Sequence, residues 1–155
     1  MQIRQVPWDD PDATALRALQ RDEIAEIYAS TASEPGPPPS AADVAAFFVA
    51  YAEETPVACG GLRALDTVTG EVKRMYVDPA HRGSGAAALL LRAMEEWARD
   101  EGWSSLRIET GSRLTAAIRF YTRCGYARIP NYGPYAGAED SLCFARPLTA
   151  FPPTG

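Results

Sequence analysis

One short glycine-containing segment has the residue types and spacing that bind phosphate groups. It runs from Arg82 to Ala87, has the sequence Arg-Gly-Ser-Gly-Ala-Ala, and lies between a strand-like segment and a helical pattern that begins near Gly85. The start of a helix leaves backbone N–H groups without intrahelical partners and carries a partial positive charge. Glycines before it let the backbone approach a ligand without interference from a Cβ atom. The segment is therefore a candidate phosphate cradle, and the alternative is a glycine-rich turn that only joins a strand to a helix.

The spacing of these glycines excludes two well-known phosphate-binding loops. No Gly-Lys-Ser or Gly-Lys-Thr follows them, as a Walker loop requires. The dinucleotide-binding pattern needs a third glycine, and Ala88 occupies its place. What the residues themselves favour is anion binding at the start of a helix.

The elements before this segment are predicted from hydrophobic patterning. Three strand-like segments joined by short polar turns predict an antiparallel meander: Val44 to Ala52, Val57 to Leu65 and Glu71 to Val77. Gly60 and Gly61 in the middle strand predict a bulge or a close backbone approach. If no bulge interrupts the third strand, its period of two places four side chains on one face: Glu71, Lys73, Met75 and Val77.

Helical patterns lie on both sides of the meander. Ala13 to Tyr28 has apolar residues at helical spacing, namely Leu16, Leu19, Ile24, Ile27 and Tyr28. After the glycine segment, a second apolar stripe predicts a helix that Gly102 ends. Further predicted elements are a short strand from Gln2 to Val6, strands from Leu106 to Thr110 and Ser141 to Ala145, and a helix from Thr115 to Cys124. This order predicts an α/β (α+β) fold with a mixed sheet that contains one parallel crossover.

The composition describes one globular domain over residues 1–155, with 46% hydrophobic and 23% charged residues. A net charge of -5 without a Lys/Arg cluster argues against nucleic-acid binding. The longest apolar run, Val44 to Ala52, is about half of a membrane helix, and the start of the chain lacks the layout of a signal peptide. Three scattered cysteines and a lone His81 indicate neither a disulfide framework nor a zinc site. We therefore expect a cytoplasmic protein without a metal.

The segment Arg82 to Ala87 resembles the Arg/Gln-x-x-Gly-x-Gly/Ala signature of the GNAT superfamily of acyl-CoA-dependent N-acetyltransferases. The residues before it, Glu71 to Pro79, are similar to that family's fourth strand, and Ala117 to Tyr126 resembles its later helix with the closing Gly-aromatic pair. The clear resemblance covers Val57 to Tyr126. It implies a GNAT-like fold, with a central and mostly antiparallel sheet of about six or seven strands, a splayed parallel pair, and about four flanking helices.

The resemblance also implies where acetyl-CoA binds. The pantetheine of the cofactor would lie between the splayed fourth and fifth strands, against the main chain of Met75, Tyr76 and Val77. The pyrophosphate would rest on backbone amides of the loop, and the Arg82 side chain would add an ionic contact or stay solvated. The loop residues implied in binding are Arg82, Gly83, Ser84, Gly85, Ala86 and Ala87.

Two catalytic roles follow from the same resemblance. An amine that attacks a thioester must be neutral, and the departing thiolate must receive a proton. Glu71 is the implied base, acting directly or through water, and Glu109 is the second candidate; a carboxylate at a strand end is otherwise a salt-bridge partner. Tyr121 is the implied acid, with a packed helix aromatic as the alternative. The main-chain amide of Val77 would face the thioester oxygen.

The chain departs from the family pattern where the later helix begins. The family often has an asparagine there, and this chain has Leu114. Ser112 or Thr115 would replace its cofactor contact, or would only cap the helix.

Two other regions are expected to select the acceptor, Pro35 to Ser40 and Asn131 to Asp140. In the second region, Tyr132 and Tyr135 are candidate substrate contacts, and the alternative is that they are aromatics of a rigid surface turn.

These residues together favour an N-acetyltransferase that moves an acetyl group from acetyl-CoA directly to a primary amine in a ternary complex. The acceptor would be a small-molecule or peptide amine, without nucleic acid or membrane, and a homodimer is compatible with such a fold. The first alternative is a catalytically silent CoA-binding sensor or interaction module, and the second is a nucleotide-phosphate binding domain. A longer acyl donor is left open, because the small residues Gly60, Gly61 and Ala87 leave room.

Overall fold

The computed structural model describes residues 1–28 and 38–148 of the chain. Within them, seven strands form one sheet. The strands are β1 (Gln2–Val6), β2 (Val44–Ala52), β3 (Thr55–Ala64), β4 (Thr69–Val77), β5 (Ser105–Gly111), β6 (Ala127–Ile129) and β7 (Ser141–Pro147). The helices are α1 (Pro11–Tyr28), α2 (Ala86–Asp100) and α3 (Thr115–Arg123), with short 3-10 turns at Pro79–His81 and Gly133–Tyr135.

The strand order across the sheet is β1-β2-β3-β4-β5-β7-β6. Every neighbouring pair is antiparallel except β4 and β5, which are parallel and are joined through α2. The predicted mixed sheet with one parallel crossover is confirmed. The described residues contain three α-helices rather than about four, and the short strand β6 was not predicted.

Helix α1 packs on the sheet through a face that coincides only in part with the predicted stripe. Ala13, Leu16 and Arg17 are buried, whereas Leu19 and Ile27 are 48% and 39% exposed. Residues 13, 16, 17 and 20 follow helical spacing, so the buried face is regular but contains polar side chains. The prediction was wrong at Leu19 and Ile27. It assigned only apolar residues to the buried face, and the face that is actually buried includes the polar residue Arg17.

A β-bulge at Arg74 interrupts β4. Cys59 pairs with Tyr76 but Gly61 pairs with Lys73, so β4 has one more residue than β3 between these pairs. Arg74 has a φ of +60°, in the left-handed region that non-glycine residues seldom adopt. The bulge reverses the direction of the side chains that follow it.

The bulge separates side chains that an uninterrupted strand would place on one face. Val72 lies in the core under α2, so its neighbours Glu71 and Lys73 point to the other face. Beyond the bulge, Met75 and Val77 pack against the core under α2. The shared face expected for these four residues in the absence of a bulge is therefore not formed. Of the bulge or close backbone approach predicted at the glycine pair, the bulge is found, because the register between β3 and β4 shifts between Cys59 and Gly61. The space at Gly60 is filled by a side chain, since a Cβ atom there would lie 2.5 Å from Met75 Sδ.

The parallel pair separates after four residues. β4 pairs with β5 only over Thr69–Val72 and Ser105–Ile108. The rest of β4 follows β3, and the rest of β5 follows β7 up to Gly111. A gap therefore opens between the carboxyl-terminal halves of the two parallel strands.

A buried polar network ties α2 to the far side of this gap. Glu95 on α2 is 5% exposed. Tyr126 Oη donates a hydrogen bond to Glu95 Oε2 at 2.8 Å, and Arg146 Nη1 donates to the same carboxylate at 2.9 Å and 3.0 Å. The network joins α2 to β7 and to Tyr126, which lies between α3 and β6.

Candidate functional site

A cavity of about 1000 Å³ lies where β4 and β5 separate. Its wall includes parts of β4, β5, α1 and α3, together with the segment before β7. Pro38 and Pro39, and the residues 138–140, also line it. These belong to the two regions expected to select an acceptor, although residues 35–37 of the first region lie outside the described residues.

The half of β4 that does not pair with β5 presents main-chain groups on the side away from β3. Gln20 Nε2 donates a hydrogen bond to Met75 O at 2.8 Å, and Arg82 Nε donates to Val77 O at 3.0 Å. The N–H and C=O of one strand residue point to the same side, so the amides of Met75 and Val77 face that side as well. Tyr76, between them, is 7% exposed and packs in the core under α1.

The loop after β4 has the backbone of an anion cradle. Gly83 and Gly85 have φ values of +82° and +91°, and a Cβ atom built on either would meet no atom within 4 Å. Gly85 is the N-cap of α2. Within the described residues, the amides of Gly83, Gly85 and Ala87 donate to no group, and the Ala86 amide has only a 3.4 Å contact to Ser84 Oγ. Open space and free N–H groups therefore coincide at the start of α2.

The Arg82 side chain points to α1. Its Nη2 lies 2.6 Å and 2.8 Å from the two carboxylate oxygens of Glu23, while its Nε binds Val77 O. Half of this side chain is exposed. The Arg82 guanidinium is thus occupied by Glu23 and Val77 O, and the groups of the loop that have no partner are backbone amides.

Glu71 lies in a buried pair outside the cavity wall. It is 1% exposed. Its Oε1 is 2.8 Å from Arg63 Nη2, and its Oε2 accepts a short hydrogen bond from Tyr132 Oη. Burial, together with the negative charge of Glu71, raises the pKa of Tyr132. Both carboxylate oxygens therefore have protein partners.

The two tyrosines proposed as substrate contacts belong to the same network. Tyr135 is fully buried and accepts a hydrogen bond from Lys73 Nζ at 3.0 Å. The rings of Tyr132 and Tyr135 pack edge to face at 5.3 Å. Neither tyrosine lines the cavity. They pack behind its wall, where Asn131 Nδ2 also holds the turn through the carbonyls of Tyr135, Ala138 and Ser141.

Glu109 and Tyr121 both line the cavity. Glu109 is half-buried on β5, beyond the last residue that pairs with β4. Tyr121 is 6% exposed on α3. Burial, followed by the negative charges of Cys124 and Glu109, raises the pKa of Tyr121 well above its ordinary value. The phenol therefore keeps its proton at neutral pH.

Leu114, which stands where an asparagine was expected, is the N-cap of α3 and lines the cavity. No side chain caps the helix there. Ser112 and Thr115 do not line the cavity, whereas Ala117 does. The structure thus gives an apolar surface at this position.

Several polar side chains on the cavity wall were not predicted from the sequence, and two of them, Arg17 and Gln20, have buried polar atoms. Arg17 is 5% exposed, and its Nη1 is buried without a hydrogen-bond partner; the same is true of Gln20 Oε1. Both residues lie on the buried face of α1, at the spacing of one helical turn. No local signal in the sequence marks them, because the burial of a polar residue on a helix depends on what packs against it.

Across residues 1–28 and 38–148, no three residues among His, Cys, Asp and Glu are grouped so that they could hold a metal ion. None of the helices in this part of the chain combines the length and apolar character needed to cross a membrane.

Comparison with known sequences identifies similar proteins. A sequence model of the acetyltransferase (GNAT) family matches residues 3–126. An IAA acetyltransferase of Azospirillum brasilense is 40% identical over 104 residues, which are 66% of this chain and 67% of the relative. Human N-acetyltransferase 8B is 31% identical over 81% of this chain, which spans only 52% of that relative's length.

Solved structures share the fold over nearly the whole chain. A proposed acyl-CoA N-acyltransferase from Klebsiella pneumoniae has a TM-score of 0.80 and 30% identity, with 96% of this chain and 97% of that chain covered. A GNAT family acetyltransferase from Elizabethkingia anophelis, with acetyl-CoA bound, has a TM-score of 0.70 and 17% identity, with 95% and 97% covered. At 17% identity, the structure from Elizabethkingia anophelis shows a shared fold only.

Proposed function

Because the chain belongs to the GNAT family of acetyltransferases, we propose that it transfers an acetyl group from acetyl-CoA to a primary amine, with both substrates bound at the same time. One observation carries the proposal. The loop with free amides at the start of α2 directly follows the half of β4 that leaves β5, and this gap contains a cavity of about 1000 Å³.

The residues present fit acetyl-CoA. Open space at Gly83 and Gly85 and the unpaired amides of Gly83, Gly85 and Ala87 suit a pyrophosphate. The main chain of Met75, Tyr76 and Val77 would hold the pantetheine, and the Val77 amide would bind the thioester oxygen. For the pantetheine to use Met75 O, it must share or displace the Gln20 amide that now binds this carbonyl. For Arg82 to reach a phosphate, it must leave Glu23.

Acetyl-CoA supplies a thioester, whose C–S bond breaks as the amine nitrogen forms the new C–N bond. The base must then remove a proton from the amine inside the cavity. Glu109 lines the cavity, whereas Glu71 is committed to Arg63 and Tyr132 outside it. The geometry therefore favours Glu109 over Glu71, the base that the family resemblance implied, and the role of either residue stays a prediction.

Tyr121 is the proposed acid for the departing thiolate. Its place on the cavity wall supports this role, and its raised pKa means that the proton to be donated is present at neutral pH. Its ring also packs against Phe120 and Tyr126, so a packing role alone is the alternative that a variant must test.

The proposal is tested by free-thiol release from acetyl-CoA across a library of primary amines, with CoA binding measured separately by calorimetry. Amine-dependent thiol release supports the transferase. CoA binding without turnover of any amine would favour the silent sensor, and tighter binding of ATP than of CoA would favour a nucleotide-binding domain. No binding of CoA would overturn the proposal.

A further inference from the structure

Arg17 is a buried cation whose counter-ion is not found among the described residues. Its guanidinium lies 3.6 Å from the centroid of the Trp8 ring and 4.9 Å from that of Phe47. One nitrogen, Nη2, donates to Trp8 O at 2.7 Å and contacts Thr14 Oγ1 at 3.4 Å. The other, Nη1, is buried and has no partner, although Arg17 lines the cavity. The aromatic rings and Trp8 O thus fix the plane of the guanidinium and leave one edge of it unused.

The surroundings of Arg17 add positive charge. Burial lowers the pKa of its guanidinium, and the positive charges of Arg21 and Arg74, which also line the cavity, act in the same direction. A buried charge is costly unless an opposite charge or hydrogen bonds compensate it. An anionic group of a ligand in the cavity would supply both.

Gln20 presents the complementary group one turn further along α1. Its Nε2 is held by Met75 O, so the orientation of the amide is fixed, and its Oε1 is buried without a partner. Oε1 can only accept a hydrogen bond. Because Gln20 contacts the unpaired half of β4, this acceptor lies beside the strand proposed to hold the thioester.

A ligand that satisfies both side chains carries an oxyanion and an N–H group close together. We propose that the acceptor is an amino-acid-like amine, with its carboxylate bound by Arg17 and its nitrogen hydrogen-bonded to Gln20 Oε1. This inference rests on the proposed function and names its substrate class. The acidic residues Glu139 and Asp140 also line the cavity, so its wall carries both signs of charge, which suits a zwitterion better than a polyanion or a polyamine.

The first test compares acceptors that differ only at the carboxylate. L-Methionine, L-methioninamide and 3-(methylthio)propylamine form one series, and L-phenylalanine, L-phenylalaninamide and 2-phenylethylamine form another. Thiol release from acetyl-CoA gives kcat/KM for each compound. We expect the carboxylate to be preferred over its amide by at least about tenfold in the series that the wild type accepts, because the amide leaves Arg17 without its partner. Equal use of acid and amide would overturn the proposal.

The second test asks whether Arg17 is responsible for the preference for the carboxylate. The Arg17→Met variant should lose the preference for the carboxylate and keep turnover of the amide, and Arg17→Lys, which keeps the charge but not the planar fork, should retain only part of it. Arg128→Met, at an exposed arginine of β6 that does not line the cavity, should keep the wild-type ratio. Circular dichroism and thermal melting establish that each variant is folded. An unchanged ratio in folded Arg17→Met would contradict the assignment.

Binding separates this inference from the proposed function. If no amine is turned over, the transferase is contradicted, and calorimetry of the wild type with N-acetyl-L-methionine and N-acetyl-L-methioninamide then decides the question. Binding that requires the carboxylate, and is lost in Arg17→Met, supports an anion site at Arg17. Equal binding of the two compounds, or binding of neither, would refute it.

Discussion

Arg63 and Glu71 form an ion pair between β3 and β4, with 2.8 Å between Arg63 Nη2 and Glu71 Oε1. The other carboxylate oxygen of Glu71 accepts a hydrogen bond from Tyr132 Oη. A carboxylate held in this way joins two strands and the turn before β7, and it would have to leave these partners to accept a proton from a substrate. Of the two candidate bases, Glu71 is therefore held in a buried structural network, and Glu109 lines the cavity.

The first prediction concerns these two carboxylates. Glu109→Gln should lower kcat by about 100-fold or more, because it removes the proposed base and changes the size of the side chain little. Glu71→Gln should instead lower the free energy of unfolding by about 1.5–3 kcal/mol, through the loss of a charged hydrogen-bond partner for Arg63. Thiol release and urea unfolding measure the two effects.

Each carboxylate variant is the control for the other. A large loss of kcat in folded Glu71→Gln with unchanged activity in Glu109→Gln would return the base to Glu71. A loss in neither would leave the proton transfer to water or to another group.

The second prediction concerns Tyr121. Tyr121→Phe should lower kcat by about 100-fold with little change in the KM for acetyl-CoA, because the phenol acts only as the thiolate leaves. Its raised pKa means that the wild-type phenol keeps its proton as the pH rises past the ordinary tyrosine value of 10. The rate ratio of wild type to variant should therefore stay constant to that pH. An unaffected kcat would assign Tyr121 to packing alone.

Much of the fold follows from local sequence patterns, and the site does so only in part. The meander, the glycine loop and the helix with Tyr121 have periodicities or turn residues that act over a few positions. The bulge at Arg74 is set by the packing of β4 on β3. No residue of β4 signals it, and the sequence signal lies in the glycine pair of β3 opposite it. The bulge moves Met75 away from the face of Glu71 and Lys73, so the geometry of the candidate site depends on a contact that periodicity does not describe.

The polar residues that α1 contributes to the cavity wall could not be predicted from hydrophobic periodicity either. Arg17 is buried because Trp8 and Phe47 cover it, and these residues come from segments far apart in the sequence. Gln20 is fixed by a carbonyl of β4 that is free only because the parallel strands separate. Such positions are recognised once the topology is known, since their polar atoms then lack partners in a buried environment.

The third prediction tests the cradle at the start of α2. Gly85→Val should abolish CoA binding, because a side chain would fill the open space and the φ of +91° would be strained. Gly102→Val is a matched control, since Gly102 follows α2 with a φ of +84° and equally open surroundings. Both variants should lose about 1–2 kcal/mol of stability from the left-handed backbone. Calorimetric titration with CoA should distinguish them, and undiminished affinity in Gly85→Val would refute the cradle.

The fourth prediction concerns the network around Glu95. Burial, followed by the negative charge and hydrogen bond of Glu95, raises the pKa of Tyr126, and Arg146 is the cation that compensates the carboxylate. Glu95→Ala should lower the free energy of unfolding by about 1–3 kcal/mol, because it leaves the buried phenol of Tyr126 without its partner, while the Arg146 side chain is 36% exposed and can be solvated by water. Glu96→Ala, at the next and exposed position of α2, should change it by less than about 0.5 kcal/mol. Urea unfolding at neutral pH measures both.

Because the network joins α2 to β7 without lining the cavity, the folded fraction of Glu95→Ala should keep its affinity for CoA. A loss of affinity without a loss of stability would place Glu95 in the binding site instead.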